Sequence, residues 1–154
     1  MFVAIFMFTC GILSINVKAM HNIASGIIDE PYGKITWTID EGGKLKVSGT
    51  GDVGSSKNNK RSPWFDYRNE IKEAEINVAN MTDASFLFYG CESLLKIDMS
   101  KFDTSSVKDM SYMFYRCRSL TQIDTSKFDT SSVKNMSYMF RECRSLTKID
   151  VSGF

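Results

Sequence analysis

One interval governs this chain. Cys91, Cys117 and Cys143 recur every 26 residues, and the same interval links Leu94, Leu120 and Leu146, then Ile97, Ile123 and Ile149, then Asp98, Asp124 and Asp150. The segment Phe102 to Lys108 recurs letter for letter as Phe128 to Lys134. A degenerate copy begins at Ile76, with Met81, Phe86, Phe88 and Tyr89 in the apolar places, and Phe154 opens a further copy. A period of this length means stacked supersecondary units, because one unit cannot bury its apolar face alone. The expected copies are 76–101, 102–127 and 128–153, with the next beginning at 154.

Each copy pairs two patterns. Leu120, Ile123 and Phe128 follow the spacing L-x-x-I-x-x-x-x-F, a leucine-rich-repeat strand pattern. After it, Val107, Met110, Met113, Phe114 and Cys117 fall on one face of a helix, and Ser106 with Asp109 has capping-box spacing. Asp103-Thr-Ser-Ser between them supplies turn chemistry. The expectation is therefore an α/β fold: a short leucine-rich-repeat solenoid, parallel strand ladder plus helices, behind a small β-rich N-terminal cap. The cap is placed at 31–75. It reads as a hairpin (Lys34 to Ile39, turn at Asp40-Glu-Gly-Gly43, Lys44 to Ser48), a polar loop from Gly49 to Arg61, and a short helix from Pro63 to Lys72. Trp37 and Trp64 read as cap core, with an exposed Trp64 beside Tyr67 as a sugar-stacking platform the rival reading.

The first nineteen residues are apolar and end in Val17-Lys-Ala19, the pattern of a signal peptide at 1–19. Residues 20–30 then form a flexible mature N-terminus. Cys10 matches a lipid-acceptor cysteine poorly. An apolar share of 43% argues against disorder, and a net charge of +1 gives no general attraction to nucleic acid. His21 is the one histidine, so no Ser–His or Cys–His pair forms; catalysis, cofactor and metal are not expected. After signal cleavage no stable membrane insertion is expected.

The repeated Phe-Asp-Thr-Ser-Ser-Val-Lys-x-Met-Ser-Tyr-Met-Phe-x-x-Cys-x-Ser-Leu-Thr-x-Ile-Asp is similar to the repeat of BspA-type leucine-rich-repeat bacterial surface proteins. Thr36-Trp-Thr-Ile-Asp, Lys44 to Gly51 and Pro63-Trp64 resemble the region that precedes such repeats. The resemblance runs from about Gly33 to Phe154. It implies a secreted or cell-surface adhesion module whose partner is a host matrix or cell-surface protein.

Candidate contacts lie on the outward strand face: Asp98, Asp124 and Asp150, flanked by Ser100, Ser126 and Ser152, with Lys96, Gln122 and Lys148 beside them. The carboxylates read either as solvated and hydrogen-bonded groups or as an acidic contact strip. Lys108 with Lys134, and Arg118 with Arg144, make basic columns elsewhere. Cys91, Cys117 and Cys143 read as structural: buried thiols first, then a disulfide between neighbours, then metal. Asn80-Met-Thr82 and Asn135-Met-Ser137 fit the glycosylation sequon by coincidence with the repeat. A repeat spacer, a fragment of a larger surface protein and a carbohydrate-binding cap are the competing functions.

Overall fold

The computed structural model describes residues 21–29, 33–53, 61–151 and 154. The expected signal peptide, Cys10, most of the 49–61 loop and Ser152 lie outside them. Five strands form one mixed sheet in chain order: β1 (Asn22–Ile28), β2 (Gly33–Asp40), β3 (Lys44–Gly51), β4 (Glu73–Ala79) and β5 (Lys96–Asp98). Strands β1–β2 and β2–β3 pair antiparallel, whereas β3–β4 and β4–β5 pair parallel. One sheet thus runs through the cap into the repeats.

In β2 and β3, Ile35, Trp37, Ile39, Leu45 and Val47 alternate inward and are buried. Buried Asp40 closes the hairpin, its Oδ1 accepting from the amides of Gly42 and Lys44, both at 2.9 Å. The 20–30 stretch, expected to be flexible, contains β1, which pairs along β2. Gly26 there lies under the Trp37 indole, where a Cβ would come within 2.5 Å of Nε1. The expected helix from Pro63 to Lys72 shrinks to a 3₁₀ turn at Phe65–Tyr67.

The repeats overturn the α/β expectation. Among the described residues there is no α-helix, and where helices were expected the chain makes successive turns. The amides of Ala84, Phe86, Phe88 and Gly90 donate to carbonyls of Asp109, Ser111, Met113 and Tyr115 in the next coil, at 2.8–3.0 Å. Between them, the amides of Leu87 and Tyr89 close local i→i+3 turns to Ala84 and Phe86 at 3.4 and 3.1 Å, and that of Ser85 donates to Asp83 Oδ1 at 2.9 Å. The next coil repeats the scheme, with Met110, Tyr112, Phe114 and Arg116 donating to Asn135, Ser137, Met139 and Arg141 at 2.9–3.0 Å. Phe86, Tyr112, Arg116, Tyr138 and Glu142 all have φ near +60°, which a helix cannot accommodate. The apolar spacing misled because i→i+3 turns bury nearly the same positions as a helix: Met110, Met113, Phe114 and Cys117 are all buried.

Strand character fades along the stack. After three-residue β5, the strand side continues with the single bridge Gln122↔Lys148, and the turn side with Asp83↔Asp109 and Asp109↔Asn135. An aromatic spine runs through the core instead. Trp37 meets Trp64 at 6.1 Å, Trp64 meets Phe88 at 6.4 Å, and Phe88, Phe114 and Phe140 stack nearly parallel at 5.5 and 5.4 Å. The ring spacing approaches the roughly 4.8 Å between neighbouring strands, so one coil rise brings each ring onto its counterpart.

Candidate functional site

The sheet registers set two charge columns. Lys44 pairs with Glu73 and Glu73 with Lys96, while Lys46 pairs with Glu75 and Glu75 with Asp98. Ion pairs cross the ladder, Lys44–Glu75 at 3.3 Å and Lys96–Glu73 at 3.0 Å. With a third or more of each side chain in solvent, each contributes at most about 1 kcal/mol. Further along, Lys96, Gln122 and Lys148 stand beside Asp124 and Asp150 around one open concavity of about 390 Å³, with Ile97 and Ile123 also lining it. An adjoining concavity extends to Lys44, Glu73, Glu75 and Asp98. The surface is a groove of mixed charge, not a purely acidic strip.

The Asp and Ser residues have a local task. Asp98 Oδ1 accepts from the Ser100 amide at 2.9 Å, and Asp124 Oδ1 from the Ser126 amide at 3.0 Å. Similar Asx turns form at Asp83–Ser85, Asp103–Ser105, Asp109–Ser111 and Asp129–Ser131. An Asp-x-Ser spacing thus marks the corners of each coil. The Ser hydroxyl and amide hydrogen bonds hold the carboxyls of Asp98 and Asp124 below the usual aspartate value; for Asp124, neighbouring Asp150 opposes this. Asn135 takes the place of Asp109 one coil on and still accepts from the Ser137 amide at 3.0 Å. Neutral Asn therefore preserves the corner.

The cysteine column consists of free thiols. Cys117 Sγ donates to the Phe88 carbonyl at 3.2 Å and Cys143 Sγ to the Phe114 carbonyl at 3.0 Å, so each thiol ties its coil to the preceding one. Burial pushes the Cys91 thiol up to about 12 despite Arg68, and half-buried Cys143 to about 11. Burial raises Cys117 as well. Such thiols are poor nucleophiles at neutral pH. Buried Thr125 and Thr104 also bridge coils, Thr125 donating to the Asp150 carbonyl and Thr104 Oγ1 accepting from the Asp129 amide at 2.7 Å. Asp52 joins cap to repeats, accepting from the Thr82 amide at 2.6 Å and the Asp83 amide at 3.0 Å.

Trp64 is fully buried and its Nε1 donates to the Leu87 carbonyl at 3.0 Å, leaving no indole face for a sugar. The basic column Arg118/Arg144 is ion-paired: Arg118 reaches Glu92 at 3.1 Å and Glu142 at 3.7 Å, and Arg144 reaches Glu142 at 3.1 Å.

A second surface escaped the sequence reading. Phe65, Phe86, Tyr89, Tyr112, Tyr115 and Tyr138 form a network of rings on the turn side. Phe86–Tyr112 and Tyr112–Tyr138 lie at 4.9 and 5.0 Å, Phe65–Tyr89 and Tyr89–Tyr115 at 6.2 and 5.1 Å. Arg61 and Arg68 lie over Phe65, Arg116 over Tyr115 and Arg141 over Tyr138. The left-handed backbone at Phe86, Tyr112 and Tyr138 costs each roughly 1–2 kcal/mol, while each ring pair returns about 0.5–1.5 kcal/mol, so stacking roughly offsets the strain. The signal for this surface was available: Tyr112, Tyr115 and Arg116 are the residues out of phase with the buried positions.

A family model described as "Mycoplasma protein of unknown function, DUF285" matches residues 60–154, all of the coils and the turn that leads into them. The chain belongs to this family. No curated protein and no solved structure matches it. Membership in DUF285 covers the 26-residue copies and does not extend to the BspA-type assignment.

Proposed function

We propose that this DUF285 chain is a secreted or cell-surface binding module that holds a protein partner in the groove beside β5. The BspA-type likeness of the repeats and the apolar 1–19 segment support the location; the reading assigns the chain no catalytic step. The observation that carries it is the convergence of Lys96, Gln122 and Lys148 with Asp124 and Asp150 around one concavity. A stack of similar coils repeats such charges at regular intervals, which suits an extended partner surface carrying both signs.

The test is a triple variant, Asp98→Asn, Asp124→Asn, Asp150→Asn. Asn135 shows that an amide keeps the corner turn, so the variant retains its fold by circular dichroism. Its binding to a panel of immobilised extracellular-matrix proteins falls, and the wild-type interaction weakens as salt rises. Unchanged binding by the folded variant would remove the groove as the contact surface. For location, mass spectrometry of protein recovered outside the cell shows a new N-terminus at Met20; retention of Met1 in a cytosolic product overturns secretion.

A further inference from the structure

We propose that the ring network on the turn side, with Arg61, Arg68, Arg116 and Arg141, is a second docking surface, and that its occupant is a protein segment rich in carboxylates and aromatic side chains. The inference is independent of the groove, which lies on the strand side of the coil and uses none of these residues.

Charge is the first observation. Among the described residues, none of these four guanidiniums makes an ion pair. Glu92 and Glu142 are engaged by Arg118 and Arg144. The four lie instead against rings at 4.3–5.4 Å, which fixes their planes; Arg68 also donates Nη1 to the Phe65 carbonyl at 3.0 Å, while Arg61, Arg116 and Arg141 keep N–H edges for carboxylates. Arg61, Arg116 and Arg141 are exposed.

Ring geometry then selects the class of partner. Phe86 and Tyr112 stack at an 8° interplanar angle and Tyr89 and Tyr115 at 6°, so the faces are turned towards each other. A sugar or a nucleobase needs an open face to stack on, and the faces that Phe86 and Tyr112, and Tyr89 and Tyr115, turn to each other are covered. Exposed beside them are the Tyr138 ring and the guanidiniums of Arg61, Arg116 and Arg141. That combination of Tyr and Arg is enriched where one protein buries against another. The left-handed backbone at Phe86, Tyr112 and Tyr138 adds to this, because a bulky ring stands in every coil where glycine or asparagine would relieve strain.

The variants follow from the column itself. Gly90 stands with φ +72° one coil before Arg116, whose φ is +61°. Arg116→Gly therefore removes a charge and relaxes the backbone at once. The probe is fluorescein-labelled random glutamate–tyrosine copolymer, read by anisotropy on the full chain at low salt, with poly-glutamate and an oligothymidylate as comparators. Wild type binds the copolymer more tightly than poly-glutamate. Arg116→Gly with Arg141→Gln weakens copolymer binding about tenfold, the scale of two exposed charge pairs, while the melting temperature holds or rises. Tyr112→Asn, whose new side chain tolerates the left-handed backbone, weakens it several-fold. Lys34→Gln, which removes an exposed cation on β2, leaves it unchanged. Full copolymer binding by the folded arginine variant overturns the proposal. So does a Tyr112→Asn protein that loses oligothymidylate but keeps the copolymer, which would make the face a nucleic-acid surface.

Discussion

The cap and the repeats reach regularity by different routes. In the cap, β2 and β3 are eight residues long, paired along their full length, and their alternation of buried and exposed side chains is that of an ordinary half-buried sheet. In the repeats the named strand shrinks to Lys96–Asp98 and then to single bridges, yet the coils keep their register. Register there resides in columns: stacked phenylalanines, thiols reaching back to carbonyls, threonines crossing between coils, and an Asp-x-Ser turn at each corner. Regular hydrogen bonding along a strand and identity between successive copies are thus two separate ways to specify parallel packing.

Trp64 is where the two schemes meet, touching Trp37 on one side and Phe88 on the other. Trp64→Ala should cost about 3–5 kcal/mol and release both regions in one transition in a urea titration followed by circular dichroism and by amide exchange. Loss of the cap with the coils still protected would show that the columns stand without it. Ile123 is buried in the strand row of the middle coil, and Ile123→Ala should cost about 2–4 kcal/mol. A loss of the same size from Ile149→Ala, at the half-buried equivalent one coil on, would mean that burial does not grade along the stack as described.

Acid should separate the regions further. Asp98, Asp103, Asp124 and Asp129 have folded-state pKa values below the usual one, because Ser hydroxyls and amides bond the charged form. Their contribution is therefore fully present above the ordinary aspartate value, near 3.9, and disappears as pH falls through the lower folded values. Amide protection in the coil corners should decline across that window, and Asp98→Asn with Asp124→Asn should flatten the decline. A pH-independent corner would show that the ionised form is not needed. The smallest effect belongs to Ser126→Ala, which keeps the amide that Asp124 accepts from and should cost under about 0.5 kcal/mol in denaturant.

Much of this was legible in the residues, for reasons that also explain the failures. The 26-residue interval could be read because Phe102 to Lys108 recurs letter for letter one copy on and the rest of the copy nearly so, and the cap strands because alternation has no local competitor. The helix could not, since a run of i→i+3 turns produces almost the same apolar spacing as a helical stripe; the distinguishing feature, a left-handed residue at Tyr112 and Arg116, is hidden in side chains that do not advertise it. The Asp and Ser columns were visible as columns and hydrogen bonding to Ser and backbone groups was one reading of them, but the bonds were expected from the next coil, whereas the i, i+2 spacing makes a corner turn within each coil. The paired tyrosines and arginines fall between the buried positions, so the apolar period carries no signal for them.

The alternation of amides in the coils has a consequence for how such a gene can change. Every second amide between Ala84 and Gly90 belongs to the neighbouring copy and the others to their own turn. Adding or deleting one residue there would exchange the two sets, turning neighbour-facing donors inward along the whole coil. Removing or duplicating one of the near-identical copies 102–127 and 128–153 keeps like surfaces at each junction, whereas copy 76–101 carries the contacts to Trp64 and Asp52. The segment therefore has a grammar of whole words: its length can drift by recombination in units of one coil, while slippage by a letter is silenced at once.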